Sequence, residues 1–405
     1  MFNSGIRFLT SGESHGPELN IIVDGIPGGL ELCPDDINCD LKRRQLGYGR
    51  GGRMKIEKDQ VIFTGGVRLG KTIGGPVSVK IINNDFKNWE IPMSALKLDF
   101  NDPLVVEKIN SKYVSRIRPG HADLAGAVKY NHEDVRNVLE RSSARETTSR
   151  VVAGAICKKL LNALNIDVVS FVIRIGSASL DEEKLGDNYL DLFKKAEESD
   201  VRCPDKDISQ KMKEAIDLAR SNGDTIGGVI KVIATGLPIG LGSYVEWDKR
   251  LNAKIAYALM SVHTVKSVEI GLGKRVSELY GSQVHDQIYV DPKWSGKSFR
   301  YKRKSNNAGG IEGGMTNGQP VICTVATKPI PTLIKPLDSV DIKTKQNTQA
   351  HFERSDICVV PAAGVVMEAM LSYVLSAAVL EKFGGDSINE LLNNYSRYLE
   401  YCFQR

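Results

Sequence analysis

The 405-residue chain holds no Cys-x-x-Cys pair, and its seven cysteines are odd in number and scattered. That spacing speaks against a structural zinc site and against a disulfide framework. A strong charge of either sign is also missing. At +5 net, the basic excess is too small to read as a general nucleic-acid binder, while an anionic small molecule stays within reach. The opening MFNSGIRFLTSGESHG has no basic start followed by an apolar core, so no secretory signal is expected. No apolar run is long and charge-free enough for a membrane span. The longest, 359–380, carries Glu368 and gives way to Lys382, Phe383, Gly384 and Gly385, which predicts a buried helix closed by glycine. The expectation is a soluble cytoplasmic protein with ample core and no commitment to membrane or nucleic acid.

What is present gathers in residues 116–150, RIRPGHADLAGAVKYNHEDVRNVLERSSARETTSR. Ser143 and Glu146 stand in the Ser-x-x-Glu capping-box relation, which predicts a helix beginning near Ala144. Val151, Val152, Ala155, Ile156, Leu160, Leu161 and Leu164 then recur at three and four, giving that helix one face for a core. Free amides and the positive end of the helix dipole attract anions. Arg141 and Arg145 bracket that end with Ser142 and Ser143 between them, so the outline is a phosphate-sized site that also includes Arg118 and His121. The plainer alternative is surface salt bridges.

Further motifs lie upstream. Gly12, Glu13, Ser14, His15 and Gly16 fall between two β-like runs, and the glycines let a ligand approach His15 closely. Adjacent residues in an extended segment face opposite ways, so Ser14 and His15 make a poor nucleophile–base pair; His15 fits a general acid or an anion contact. Gly47, Gly49 and Gly52 satisfy Gly-x-Gly-x-x-Gly, but a basic segment precedes them where a dinucleotide site needs a strand. GGVRLGKT at 65–72 fits the phosphate-loop pattern, yet IGGPVSVKII follows and predicts a strand instead of a helix. The basic run at 42–55 suits a mobile loop folding Arg44, Arg50 and Arg53 over a small polyanion. Its alternatives are an RNA-binding segment or a solvated loop.

An internal echo decides the architecture. GESHG at 12–16 returns as GDTIG at 223–227, GIPGGL at 25–30 as GLPIGL at 236–241, Pro119 as Pro331, and ERSS at 140–143 as ERSD at 353–356. Four matches in one order at a nearly constant shift argue for a duplication. Each copy supplies strands, a polar loop and a long apolar helix, with Ser143 and Asp356 at the N-caps. The predicted fold class is α/β (α+β), a β-α-β sandwich with helices between mostly antiparallel sheets. It is one domain, 1–405, with pseudo-repeats of roughly 1–205 and 206–405. Residues 306–318 are too glycine-rich for regular structure, and two prolines stiffen Lys328 to Thr332.

Together GESHG at 12–16, RRQLGYGRGGRMKIE at 43–57, RPGHAD at 118–123, ERSSARET at 140–147, GGMTNGQP at 313–320, KPIPT at 328–332 and RSD at 354–356 resemble the chorismate synthase family over nearly the whole chain. The resemblance implies a lyase, usually tetrameric, that converts 5-enolpyruvylshikimate 3-phosphate to chorismate with reduced FMN and no net redox change. It implies His15 and His121 as catalytic, His15 protonating the departing phosphate, and Asp356 as the acid near flavin N5. Arg44, Arg50, Arg53 and Arg145 would hold substrate. Arg141, Ser142, Ser143, His263, Thr264, Gly313, Lys328, Pro329, Ile330, Pro331, Thr332 and Arg354 match flavin positions. An external flavin reductase is implied, with room for NADPH at Arg44 and Arg50. The family usually carries Asn-Ala or Gln-Ala where this chain has His263 and Thr264, and a glycine where it has Leu46.

Overall fold

The computed structural model describes residues 5–51, 59–353 and 355–405. One antiparallel sheet contains β1 (Arg7–Ser11), β2 (Glu18–Asp24), β3 (Ile62–Gly65) and β4 (Val77–Ile82), in the order β1-β2-β4-β3. The other contains β5 (Asp167–Ile175), β6 (Gly228–Thr235), β7 (Val265–Ile270) and β8 (Val321–Thr327), in the order β5-β6-β8-β7, with Ala178–Ser179 at the β5 edge. Alternation sets the faces: Leu19, Ile21 and Val23 pair with Ile81, Val79 and Val77 and are buried, while Ile22 and Ile82 look outward. The phosphate-loop look-alike forms a short hairpin, Val67–Arg68 against Lys71–Thr72, and the strand expected after it is β4.

The helices that matter to the site and core are α1 (Pro34–Gln45), α2 (Asp123–Tyr130), α3 (Arg136–Ser142), α4 (Glu146–Asn162), α5 (Lys206–Ser221), α6 (Leu251–Met260), α7 (Val360–Phe383) and α8 (Ile388–Gln404), with shorter ones at Pro103–Asn110, Tyr189–Glu197 and Gly281–Val284. α4 lies on β1 and β2, α7 on β5 and β6, and the two helices pack against each other between the sheets with α1 against both. This is the helix-filled sandwich expected. At the crossing a Cβ on Gly154 would fall 2.2 Å from Ala369 Cβ and 2.3 Å from its Cα, so only glycine admits so close a backbone approach.

α7 is apolar on every side, as a helix buried all round must be. By length and composition alone it could cross a membrane, yet 83% of its most apolar window is buried inside the protein. Its one buried acid, Glu368, accepts from Arg43, Lys158, Arg202 and Ser170. Burial would raise that carboxyl, but the three cations outweigh it and hold it well below the usual range.

Three local expectations need correction. Regular α4 starts at Glu146, and its N-cap residue, Arg145, makes no side-chain cap. Ser143 Oγ accepts from Arg145 N (3.3 Å), while the Glu146 carboxylate is taken by Arg150 at 2.9 Å, so no capping box closes. Asp356 does not cap α7, which begins at Val360. Starting at Asp356 would put Pro361 in the fifth helical position, where its ring clashes and its missing N–H costs a bond; beginning at Val360 keeps the proline in the first turn. Finally, residues 306–318 include a short hairpin, Ile311–Glu312 against Met315–Thr316.

Candidate active site

The loops that enter α4 and α7 converge with the turn after β1. Gly12 adopts φ +105°, and a Cβ there would meet the Glu18 carbonyl at 2.4 Å, so the turn is tight and needs glycine. It presents His15, 9% exposed, to α3. His15 Nδ1 lies 2.8 Å from Glu140 Oε1, and Glu140 Oε2 accepts the His15 backbone N–H at 2.8 Å. The Trp89 ring stacks on the imidazole, centroids 3.8 Å apart and planes 24° apart. Ser143 Oγ donates to Ser14 Oγ at 3.2 Å, tying the α3–α4 turn to the same loop. Arg141 reaches back to the Thr10 and Gly12 carbonyls at 2.9 and 3.2 Å.

The second histidine stands at the start of α2. His121 Nδ1 donates to Asp123 Oδ1 at 2.5 Å, and Arg118 donates to both Asp123 oxygens at 2.8 and 2.9 Å. Burial would raise the Asp123 carboxyl, but these hydrogen bonds prevail and hold it well below the usual range. Lys328 Nζ donates to the Gly120 carbonyl, and Arg118 reaches Thr332 Oγ1 at 3.4 Å, which docks the segment 328–332 beside His121. Arg136 spans both histidine groups, with Glu353 at 2.6 Å and Glu140 at 3.5 Å. Burial raises the Glu353 carboxyl, yet His351 and Arg136 bring it down to about 2.

The basic loop closes a third side. Arg145 pairs with Asp59 at 2.7 Å; Arg44 lies 4.0 Å from the same carboxylate and donates to Thr147 Oγ1 and the Ala144 carbonyl. Arg50 pairs with Asp356 at 2.8 Å, and Asp356 also accepts the Gly51 N–H at 2.6 Å. Ser355 Oγ donates to the Thr332 carbonyl, so Asp356 is held next to 328–332. Arg53 and Arg354 lie outside the described residues.

His263 lies 3.9 Å from Glu146, and the Thr264 carbonyl accepts the Lys328 N–H at 2.9 Å. Burial lowers the His263 pKa; Glu146 opposes this, and Arg150, His121 and Arg141 add to it. Lys328 is also lowered, by burial and by Lys266, and its bonded partner is a neutral carbonyl. Cationic side chains thus crowd two groups here, Arg150 and Arg141 around His263 and Lys266 beside Lys328, which an anionic ligand would relieve.

Gly313 is not brought to this cluster. The Gly314 carbonyl accepts from Leu251, the first residue of α6, whereas His263 follows the far end of that helix. Ten residues at 1.5 Å each separate the two ends by about 15 Å. Sequence reasoning gave no role to Glu140, Arg136, Trp89, Asp59 or Glu353. Glu140 and Glu353 were visible as equivalent members of the repeated ERS motif. Asp59 and Trp89 carried no local signal.

The chain matches the chorismate synthase family over residues 6–380. The chorismate synthase of Geobacter sulfurreducens is 51% identical over 399 residues, 98% of this chain and 99% of that protein. Its counterpart in Geobacillus thermodenitrificans is 51% identical over 398 residues, with the same two coverages. A solved structure described as "Crystal Structure of Chorismate Synthase" superposes with a TM-score of 0.78 at 38% identity, covering 99% of both chains. The chain belongs to the chorismate synthase family, and is therefore a lyase.

Proposed function

We propose that the chain catalyses the anti-1,4-elimination of phosphate from 5-enolpyruvylshikimate 3-phosphate, giving chorismate, with reduced FMN bound. This is the last common step of aromatic amino acid biosynthesis on the shikimate pathway. The observation that carries the reading is convergence of loops from distant parts of the sequence: the Ser143–Ser14 bond ties the His15 loop to the turn that carries Arg145, and Thr332 joins Arg118, beside His121, to Ser355, next to Asp356.

The donor set fits a flavin phosphate, since Lys328 and Arg141 hold neutral carbonyls and have charge to offer, with Ser142 and Ser143 beside them. Ser142 Oγ is engaged with the Val138 carbonyl at 2.7 Å, so Ser143 is the better placed hydroxyl. Thr264, Lys328 to Thr332 and Arg354 complete that set by family resemblance. Gly313 serves it from a neighbouring subunit of a homotetramer, which its distance from the cluster supports. Reduced flavin, when bound, lends electron density to the allylic system and takes it back.

The protein's own part is electrostatic and acid–base. Arg44, Arg50, Arg53 and Arg145 neutralise the phosphate and carboxylates of the substrate. Asp59 now occupies Arg145 as such an anion would, and must yield when substrate enters. His15 protonates the departing phosphate as the C–O bond breaks, and imidazole is suited to that near neutral pH. His121 and Asp356 govern the protonation of the flavin, and the packed loops exclude water.

Reduced flavin comes from an external reductase in the cytoplasm, with NADPH at Arg44 and Arg50 as the bifunctional variant of that supply. The two sheets also descend, we propose, from a duplication. Support comes from their shared strand order and from helices α1 and α6, α4 and α7, which follow the second and fourth strands of the respective sheets; counted this way the second copy begins near Asp167, ahead of the boundary at 206 expected from the sequence. The deciding experiment is anaerobic incubation with reduced FMN and the enolpyruvyl ester, following phosphate release. Absence of release with flavin bound overturns the reading.

A further inference from the structure

Resting on the reading of His15 as the proton donor, we propose that Glu140 is a positioning residue that fixes the tautomer and orientation of His15. Both carboxylate oxygens are spent on one residue: Oε1 on the ring Nδ1 and Oε2 on the backbone N–H, each at 2.8 Å. The Glu140 side chain is 2% exposed, so water does not compete for these bonds. A carboxylate oxygen only accepts, so Nδ1 carries the hydrogen and Nε2 is the atom that exchanges a proton with substrate. Trp89 covers one face of the ring at 3.8 Å, which resists rotation about the Cβ–Cγ bond.

Holding the loop does not require this carboxylate. The Glu140 backbone carbonyl already accepts the Ser14 N–H at 3.0 Å, and Asn83 donates to the carbonyls of Ser14 and Gly16. Nor is the Glu140 charge consumed elsewhere: Arg136 stands 3.5 Å away but only 2.6 Å from Glu353. Around the stacked ring, among the described residues, Lys112 lies 4.4 Å over Trp89, and Asp85 accepts the Trp89 indole N–H at 3.3 Å. Glu140 is therefore in direct contact with the imidazole, 2.8 Å from Nδ1, and holds it in the Nδ1–H tautomer.

The test is Glu140→Gln in the full chain with reduced FMN under anaerobic conditions. The amide offers one acceptor where the carboxylate offers two, so either Nδ1–H or the backbone N–H faces an NH2 group. A fall in kcat of about 10- to 100-fold with KM within about threefold is expected. In a His15→Ala background Glu140→Gln should add little. A full additive loss in the His15→Ala background overturns the inference. If His15→Ala itself leaves turnover unchanged, it is the proton-donor reading that fails. Should Glu140→Gln not fold, 15N NMR of the wild-type histidines decides: a neutral His15 protonated at Nδ1 supports the proposal, and one protonated at Nε2 overturns it.

Discussion

Replacing Gly154 with alanine sets two effects of opposite sign against each other. Glycine inside a helix costs about 1 kcal/mol relative to alanine, so α4 taken alone should gain from the change. Across the interface the new methyl would sit 2.2 Å from Ala369 Cβ, 2.3 Å from its Cα and 2.6 Å from its carbonyl oxygen. Ordinary carbon contacts are about 3.5–4.0 Å, so α4 and α7 must part by roughly 1–2 Å. The obstruction is largely backbone and cannot turn aside, which puts the overpacking cost at the upper end of its usual range, about 3 kcal/mol. The net expectation is a loss of about 2 kcal/mol, which for a chain this long lowers Tm by only about 2–3 °C. Urea titration is therefore the better assay.

The same displacement reaches the site, because residues 141–145 run straight into α4 and 355–359 into α7. A shift of about 1 Å in catalytic groups can cost as much as 100-fold in rate, so turnover should fall at least about tenfold. Adding Ala369→Gly removes one of the three blocking atoms and should recover only part of the loss. A Gly154→Ala protein more stable than wild type would refute the reasoning, since it would mean that the helices part freely and propensity prevails.

Arg50→Ala should weaken substrate binding by about tenfold and leave a shallower salt dependence, which calorimetry at two ionic strengths measures. Glu368→Gln leaves Arg43, Lys158 and Arg202 around a neutral group and should cost about 3–5 kcal/mol in urea unfolding; a loss under 1 kcal/mol would show that water reaches the cluster. Acid should destabilise the protein in two stages. His263 has a folded pKa below 6.5, so the unfolded chain binds the extra proton and stability is lost as pH falls from 6.5 through the lowered folded value. Glu353, depressed from 4.5 to about 2, contributes stability that is complete above 4.5 and lost as pH falls through 2. His263→Gln should flatten the first stage in urea midpoints measured between pH 7 and 5, and an unchanged slope would refute that assignment.

The fold was legible wherever periodicity and burial agree. The run 359–380 gave α7 because a helix buried all round needs no amphipathic pattern, and β2 and β4 were plain because alternation matches a pleat with one face on a core. The capping box misled because its glutamate can serve only one partner: tertiary folding brings Arg150 and His263 to Glu146, and the N-terminal amide loses. The start of α7 could have been read correctly from Pro361, whose ring tolerates only the first helical turn. Asp59 and Trp89 were beyond reach. Their importance lies in what stands beside them, Arg145 and His15, and no residue spacing encodes a contact between loops 86 and 74 positions apart.

On the proposed function the site takes two anionic ligands, and charge pairing would tell them apart. Arg145 and Arg44 share Asp59, Arg50 faces Asp356, and Arg118 faces Asp123, so each of these arginines already lies within 4.0 Å of a carboxylate. An anion that engages Arg145 or Arg50 must displace an acid, and the gain is the difference between two ion pairs. Arg141 and Lys328 hold carbonyl dipoles instead, and an anion arriving there meets charge with little competition. On that reading, the side of the site around Arg141, His263 and Lys328 suits a resident phosphate. The side closed by the arginine loop binds an anion only when Asp59 and Asp356 can move or share their cations. A ligand that stays belongs to the first, and one that must leave after each turnover belongs to the second.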